Sequence, residues 1–169
     1  FVIPGRTKLE KQKLQQSGEI FGYVYCGLRE RSDNKALRGQ QAYRLRTPEE
    51  VETEFLSALS RVCDAGRLEN LLEFLKPLLS DPSFQSIELT QLYANRDDEK
   101  LGALFRGLSS GHKVVLKIVT ELTAHISKTE PTLVLIDEPE THLHPPLLAA
   151  FLKSVRACLE AFDGYAVVA

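Results

Sequence analysis

Methionine and tryptophan are both absent from the 169 residues, which begin on Phe1. The last five residues, Tyr165-Ala166-Val167-Val168-Ala169, are apolar with no turn or polar tail behind them. Exposed strand edges invite aggregation, so natural domains seldom stop inside such a run. The expectation is a piece of a longer protein with neighbours on both sides. Cysteine is scarce: Cys26, Cys63 and Cys158 lie far apart with no C-x-x-C pair. That argues against a disulfide framework or a cysteine zinc site and fits reduced thiols in the cytoplasm. No stretch approaches the ~18–20 apolar residues that span a bilayer. Pro4-Gly5-Arg6, directly after three apolar residues, lacks the architecture of a signal peptide. No membrane partner is expected. One further absence concerns chemistry: G-x-x-x-x-G-K-[ST] occurs nowhere, and Gly5-Arg6-Thr7-Lys8 lacks the second Gly-Lys pair that cradles phosphates. Internal repeats and low-complexity segments are missing too.

What is present is ordinary in amount and uneven in place. Apolar residues at 43% and charged residues at 26% fit a globular fold with one sizeable core. Residues 1–46 hold ten Lys and Arg against four Asp and Glu, a balance of +6, whereas the remainder carries −8. The basic segment places Arg29, Arg31, Lys35, Arg38, Arg44 and Arg46 among Gln40, Gln41 and Tyr43. Three readings stay open for it: a solvated loop, a nucleic-acid contact through phosphates and stacking, or a protein surface.

The aromatic and β-branched run at 20–26 predicts a strand. Residues 27–46 lose any period and read as an irregular loop. Thr47-Pro48-Glu49-Glu50 predicts a capping box opening a helix. Val51, Phe55, Leu59 and Val62 follow at helical spacing, and Gly66 is placed to end it. A second helix is predicted over 68–79, crowded by Pro77 and closed by Ser80-Asp81-Pro82. A short strand is expected at 87–89. Residues 91–107 read as helical at first and then a loop. A helix is predicted over 111–127, a break at 128–131, a strand at 132–136 buried on both faces, a helix over 145–161 and a final strand after Asp163-Gly164. The helix–strand alternation predicts an α/β fold with right-handed crossovers.

Leu133-Val134-Leu135-Ile136-Asp137-Glu138 is the most informative stretch. Four apolar residues deliver two neighbouring carboxylates to the carboxyl end of a strand, where open α/β sheets bind ligands. Adjacent acids repel unless a cation or proton offsets them. Phosphoryl transfer uses such a pair: Asp137 on the metal side, Glu138 as the base. The competing reading is an acidic surface turn before Pro139. Upstream, Gly107-Leu108-Ser109-Ser110-Gly111-His112-Lys113 either caps the next helix or offers its amides and hydroxyls to an anion. His142 and His144, with Glu140 and Asp137 nearby, also raise a metal site, although a turn suits ligation less well than a strand. His125 reads as structural.

Leu108-Ser109-Ser110-Gly111-His112 resembles the signature motif of ABC-type ATPases, with Ser for its third-position Gly and His for Gln. Residues 133–145 resemble the Walker B strand and D-loop of the OLD-like, AAA-type (AAA_21-like) branch, which includes ATPase subunits of Septu and retron-associated anti-phage defence systems. The resemblance is specific over 107–169 and only architectural over 1–106. It implies a partial ABC-type P-loop ATPase head, α/β, with a mostly parallel sheet flanked by helices. Residues 1–46 would be a strand region and basic loop, 47–106 a helical insertion or lid, and 107–169 the signature helix, Walker B strand and D-loop.

The resemblance further implies ATP and Mg²⁺, with Asp137 on the metal and Glu138 activating water. Ser109, Ser110, Gly111 and Lys113 would meet the γ-phosphate held by a second copy, and Glu140, His142 and His144 would line the dimer seam. It implies a cytoplasmic homodimer or higher oligomer whose ATP cycle controls a nuclease subunit, by analogy of the HNH type, in anti-phage defence or DNA processing. The missing phosphate loop leaves two readings: it lies upstream of Phe1, or the head is a degenerate scaffold that dimerises and binds nucleic acid. A structural-maintenance head is a poorer fit, because two short helices replace long coiled coils.

Overall fold

The structure, a computed structural model, describes residues 29–31, 43–85, 97–126, 132–141, 143–162 and 164–168. The expected strands at 20–26 and 87–89, the break at 128–131 and His142 lie outside the described residues.

Two short strands, β1 (Arg29–Arg31) and β2 (Tyr43–Leu45), pair antiparallel with Arg29 opposite Leu45 and Arg31 opposite Tyr43. This corrects the irregular loop expected over 27–46. Pairing here is made by backbone groups, and three residues are too few for a hydropathy period to show.

Helix α1 (Pro48–Asp64) starts with both halves of the capping box. Glu50 N–H donates to Thr47 Oγ1, and Thr47 N–H donates to the Glu50 carboxylate at 2.8 Å. Its buried stripe is Val51, Phe55, Ala58, Leu59 and Val62, and the chain leaves it through Gly66 at φ +66°. Helix α2 (Leu68–Leu75) tightens into a 3-10 turn over Lys76–Ser80. The continuous helix expected to residue 79 is thus wound differently at its end, because Pro77 supplies no N–H and crowds the carbonyl four residues back. A single turn, α3 (Pro82–Gln85), follows.

Helix α4 (Asp98–Gly107) overturns the expected loop before Gly107. Asp97 caps it by accepting from Lys100 N–H at 3.0 Å, and Leu101 and Phe105, one turn apart, are both buried. Helix α5 (Ser110–His125) packs along α1, and α4 meets α1 where the Phe55 and Phe105 rings stack at 4.5 Å.

Strands β3 (Thr132–Ile136) and β4 (Gly164–Val168) pair in parallel, joined by helix α6 (Pro145–Phe162). One cluster of buried apolar side chains runs from Val51 through Leu71, Phe105 and Val119 to Phe162. The expectation that β3 is buried on both faces is corrected. Leu133 is 62% exposed and Leu135 48%, whereas Val134 and Ile136 face the core. Among the described residues α6 packs on β4, and nothing covers the opposite face. The described sheet is therefore a parallel pair beside a helical majority, smaller than the flanked parallel sheet expected. None of the described helices is long and apolar enough to cross a membrane.

Candidate functional site

The carboxyl end of β3 delivers Asp137 and Glu138 to the surface, both exposed. Glu138 has φ +44°, the one non-glycine in the left-handed region among the described residues. That conformation crowds Cβ against the carbonyl and costs about 1–2 kcal/mol, so the surrounding turn must hold it. A 3-10 turn (Pro139–Thr141) follows, and Thr141 N–H donates to the Glu138 carbonyl at 3.1 Å. Pro139 is buried and Glu140 exposed. The result is two hard oxygen donors side by side in water at a strand end. That donor set fits Mg²⁺, which prefers one or two carboxylates and keeps several waters.

Ser109 is the N-cap of α5 in extended backbone, its Oγ accepting from His112 N–H at 3.4 Å and meeting His112 Nδ1. The capping reading of this turn is therefore what Ser109 does in this structure. Ser109 and Ser110 stay exposed, Gly111 and His112 are buried, and Lys113 is half-buried. An exposed N-terminus of a helix of this length presents amide donors and a positive dipole end to solvent.

A buried carboxylate links this turn to the segment after the acid pair. Asp81 Oδ1 lies 3.3 Å from His112 Nε2, and Asp81 Oδ2 lies 3.6 Å from His144 Nε2. The two imidazoles are 5.8 Å apart between ring centres, with the Phe84 ring edge-on to His112 at 5.0 Å. His144 also starts α6: its Nδ1 accepts from Leu147 N–H at 3.3 Å, and its carbonyl accepts from Leu148 N–H at 2.9 Å. The structure thus brings His144 to the serine turn. Among the described residues, no hydrogen bond or ion pair joins Asp137 or Glu138 to Ser109, Ser110, Lys113 or Glu140. His144 does not meet Asp137 or Glu140, the neighbours expected for a metal site; it meets Asp81 and His112 instead.

Sequence reasoning missed Asp81, which reads only as part of a helix-closing turn, and gave His112 no role beyond a motif position. They stand 31 residues apart, and no local pattern connects them.

A second polar cleft is lined by Arg46, Glu54, Arg61, Glu121 and His125. Its charges answer one another: Arg46 with Glu54 at 2.7 Å, Arg61 with Glu121 at 2.9 Å. It reads as structural.

The pattern of the AAA_21 family, described as "AAA domain, putative AbiEii toxin, Type IV TA system", matches residues 28–169. Protein ea59 of Escherichia phage lambda is 34% identical over 168 aligned residues, covering 87% of this chain and 30% of that protein. The chain therefore spans about a third of the length of that relative. No solved structure matches.

Proposed function

The chain belongs to the AAA_21 family of AAA-type ATPase domains, and on that premise we propose that it is part of an ABC-type head that hydrolyses ATP across a dimer seam. The family carries a P-loop α/β fold and nucleotide binding. The observation that carries the finer reading is the acid pair at the end of β3, with Glu138 held at φ +44°. Left-handed backbone at a glutamate is costly, and it concentrates where a side chain must be aimed.

In this reading Asp137 holds Mg²⁺ and Glu138 accepts a proton from the attacking water at its carboxylate. Bound Mg²⁺ supplies neutralisation of phosphate charge. Ser109, Ser110, Gly111 and Lys113 meet the γ-phosphate on a second copy, so that two incomplete sites complete each other. Glu140, His142 and His144 line the seam. The cycle controls a nuclease subunit of the HNH kind in anti-phage defence, and the basic residues from Arg29 to Arg46 contact nucleic acid. The family description, which names a toxin of a toxin–antitoxin system, supports a place in genome conflict.

Glu138→Gln in the full-length protein tests this reading. Turnover is expected to vanish while ATP-dependent dimers accumulate. Unchanged turnover would remove Glu138 as the base, and assembly indifferent to ATP would favour a degenerate scaffold.

A further inference from the structure

We propose that Asp81, His112 and His144 form a site for a divalent transition-metal ion of the zinc class, separate from the Mg²⁺ position assigned to Asp137. The donor atoms of the three side chains all lie within 4.8 Å of one another. Tetrahedral zinc with bonds of about 2.0–2.2 Å sets neighbouring ligand atoms roughly 3.4 Å apart. His112 Nε2 lies 3.3 Å from Asp81 Oδ1 and His144 Nε2 3.6 Å from Oδ2, each close to that spacing although to different oxygens of the carboxylate. Bringing one oxygen and both imidazoles onto a single ion needs a small shift, and His144, whose side chain is 51% exposed, has room to make it.

The donor set selects the ion. Two imidazoles and one carboxylate suit Zn²⁺ and its first-row neighbours, whereas Mg²⁺ and Ca²⁺ prefer oxygen throughout. Three protein ligands also leave a fourth position, which opens on the exposed His144 side.

The surrounding structure prepares two of the ligands. Asp81 is 6% exposed and sits in a fixed turn, its N–H donating to the Leu78 carbonyl and its carbonyl accepting from Phe84 N–H. His112 has Ser109 Oγ at its Nδ1, which orients Nε2 toward Asp81. Histidines that ligate through one nitrogen usually give the other N–H to an oxygen, and Ser109 provides one. His144 needs one rearrangement: its Nδ1 takes the Leu147 N–H in this structure, so loading gives up that capping bond. In this structure His112 Nε2 shares a hydrogen bond with Asp81 Oδ1, and His144 Nε2 stands 3.6 Å from Oδ2. With an ion bound, the start of α5, the start of α6 and the α2–α3 turn are clipped together.

The test uses full-length protein, stripped with chelator, free of nucleotide and in excess Mg²⁺, titrated with Co²⁺ and then Zn²⁺. One equivalent is expected to survive gel filtration, to raise the melting temperature and, as Co²⁺, to give the visible absorption of a four-coordinate site. His144→Ala and Asp81→Asn should each weaken it at least about tenfold, and His125→Ala should not. His144 lies at the surface, so its variant keeps the test valid if the Asp81 variant misfolds. Failure to retain metal, or retention unaltered by His144→Ala, would overturn the site and leave a structural cluster of one carboxylate and two imidazoles. Because no nucleotide is used, that failure leaves the ATPase reading untouched.

Discussion

At the scale of single residues, burial sets chemistry more than sequence neighbours do. Cys158 is fully enclosed within α6, and burial pushes its thiol from 9.0 up to about 12, against a hydrogen bond with Thr123 and the charge of Arg67. A thiol raised in this way favours the folded state below its unfolded value and loses that advantage as pH climbs from about 9 toward 12. Cys63, by contrast, is only partly buried. Iodoacetamide at pH 8, read by peptide mass spectrometry, is expected to label Cys63 in the native protein and Cys158 only on unfolding. Equal native labelling would contradict the packing of α6. The scattered spacing of the cysteines fits reduced thiols, and the structure leaves both unbridged, but only the fold tells which one is sealed. Asp81 makes the same point: an aspartate before a proline says turn, and only the fold places it against two histidines.

Elements were legible where their signals are local. Thr47, Pro48 and Glu50 specify the start of α1 within four residues, and the structure contains both reciprocal bonds. Thr47→Ala is expected to cost about 1 kcal/mol, read as a lower urea midpoint with unchanged slope, while Thr47→Ser should recover most of it. Identical midpoints would show that the cap does not stabilise α1. The strand–acid pair–turn–helix order from 132 to 162 was equally local. Helix α4 was not, because Asp97 and Asp98 look like loop residues until the cap is seen and the burial of Leu101 and Phe105 depends on α1. The outer face of β3 was misjudged for a related reason: an apolar run specifies a strand that can be buried, and what lies over it is decided elsewhere in the chain.

For the whole molecule, the least legible feature is how α1 and α5 are fastened. Glu121, buried on α5, lies 2.9 Å from Arg61 of α1 and 3.3 Å from His125. Burial pushes its carboxyl up, but the His125 hydrogen bond and the charges of Lys117 and Arg61 outweigh this and hold it below its ordinary 4.5. The buried Lys117 in turn reaches Glu54 of α1 at 3.2 Å. A carboxyl with a lowered folded value stabilises above its unfolded value and loses that contribution as pH falls through the folded one. Glu121→Gln should therefore destabilise by about 1–3 kcal/mol at pH 7. The gap to the parent protein should close progressively below about pH 4.5. A gap independent of pH would assign the loss to packing. Since Arg61 and Glu121 are 60 positions apart, their attachment appears only once the two helices are laid together.

The left-handed backbone at Glu138 has one more effect, on how this protein responds to change. Glycine, or to a lesser degree asparagine, occupies that region with less crowding. A variant library sorted for heat tolerance alone would drift toward those residues at 138 and discard the carboxylate on the way. On the role proposed for Glu138, durability and turnover pull in opposite directions at that single position, so the sturdiest survivors would be inert.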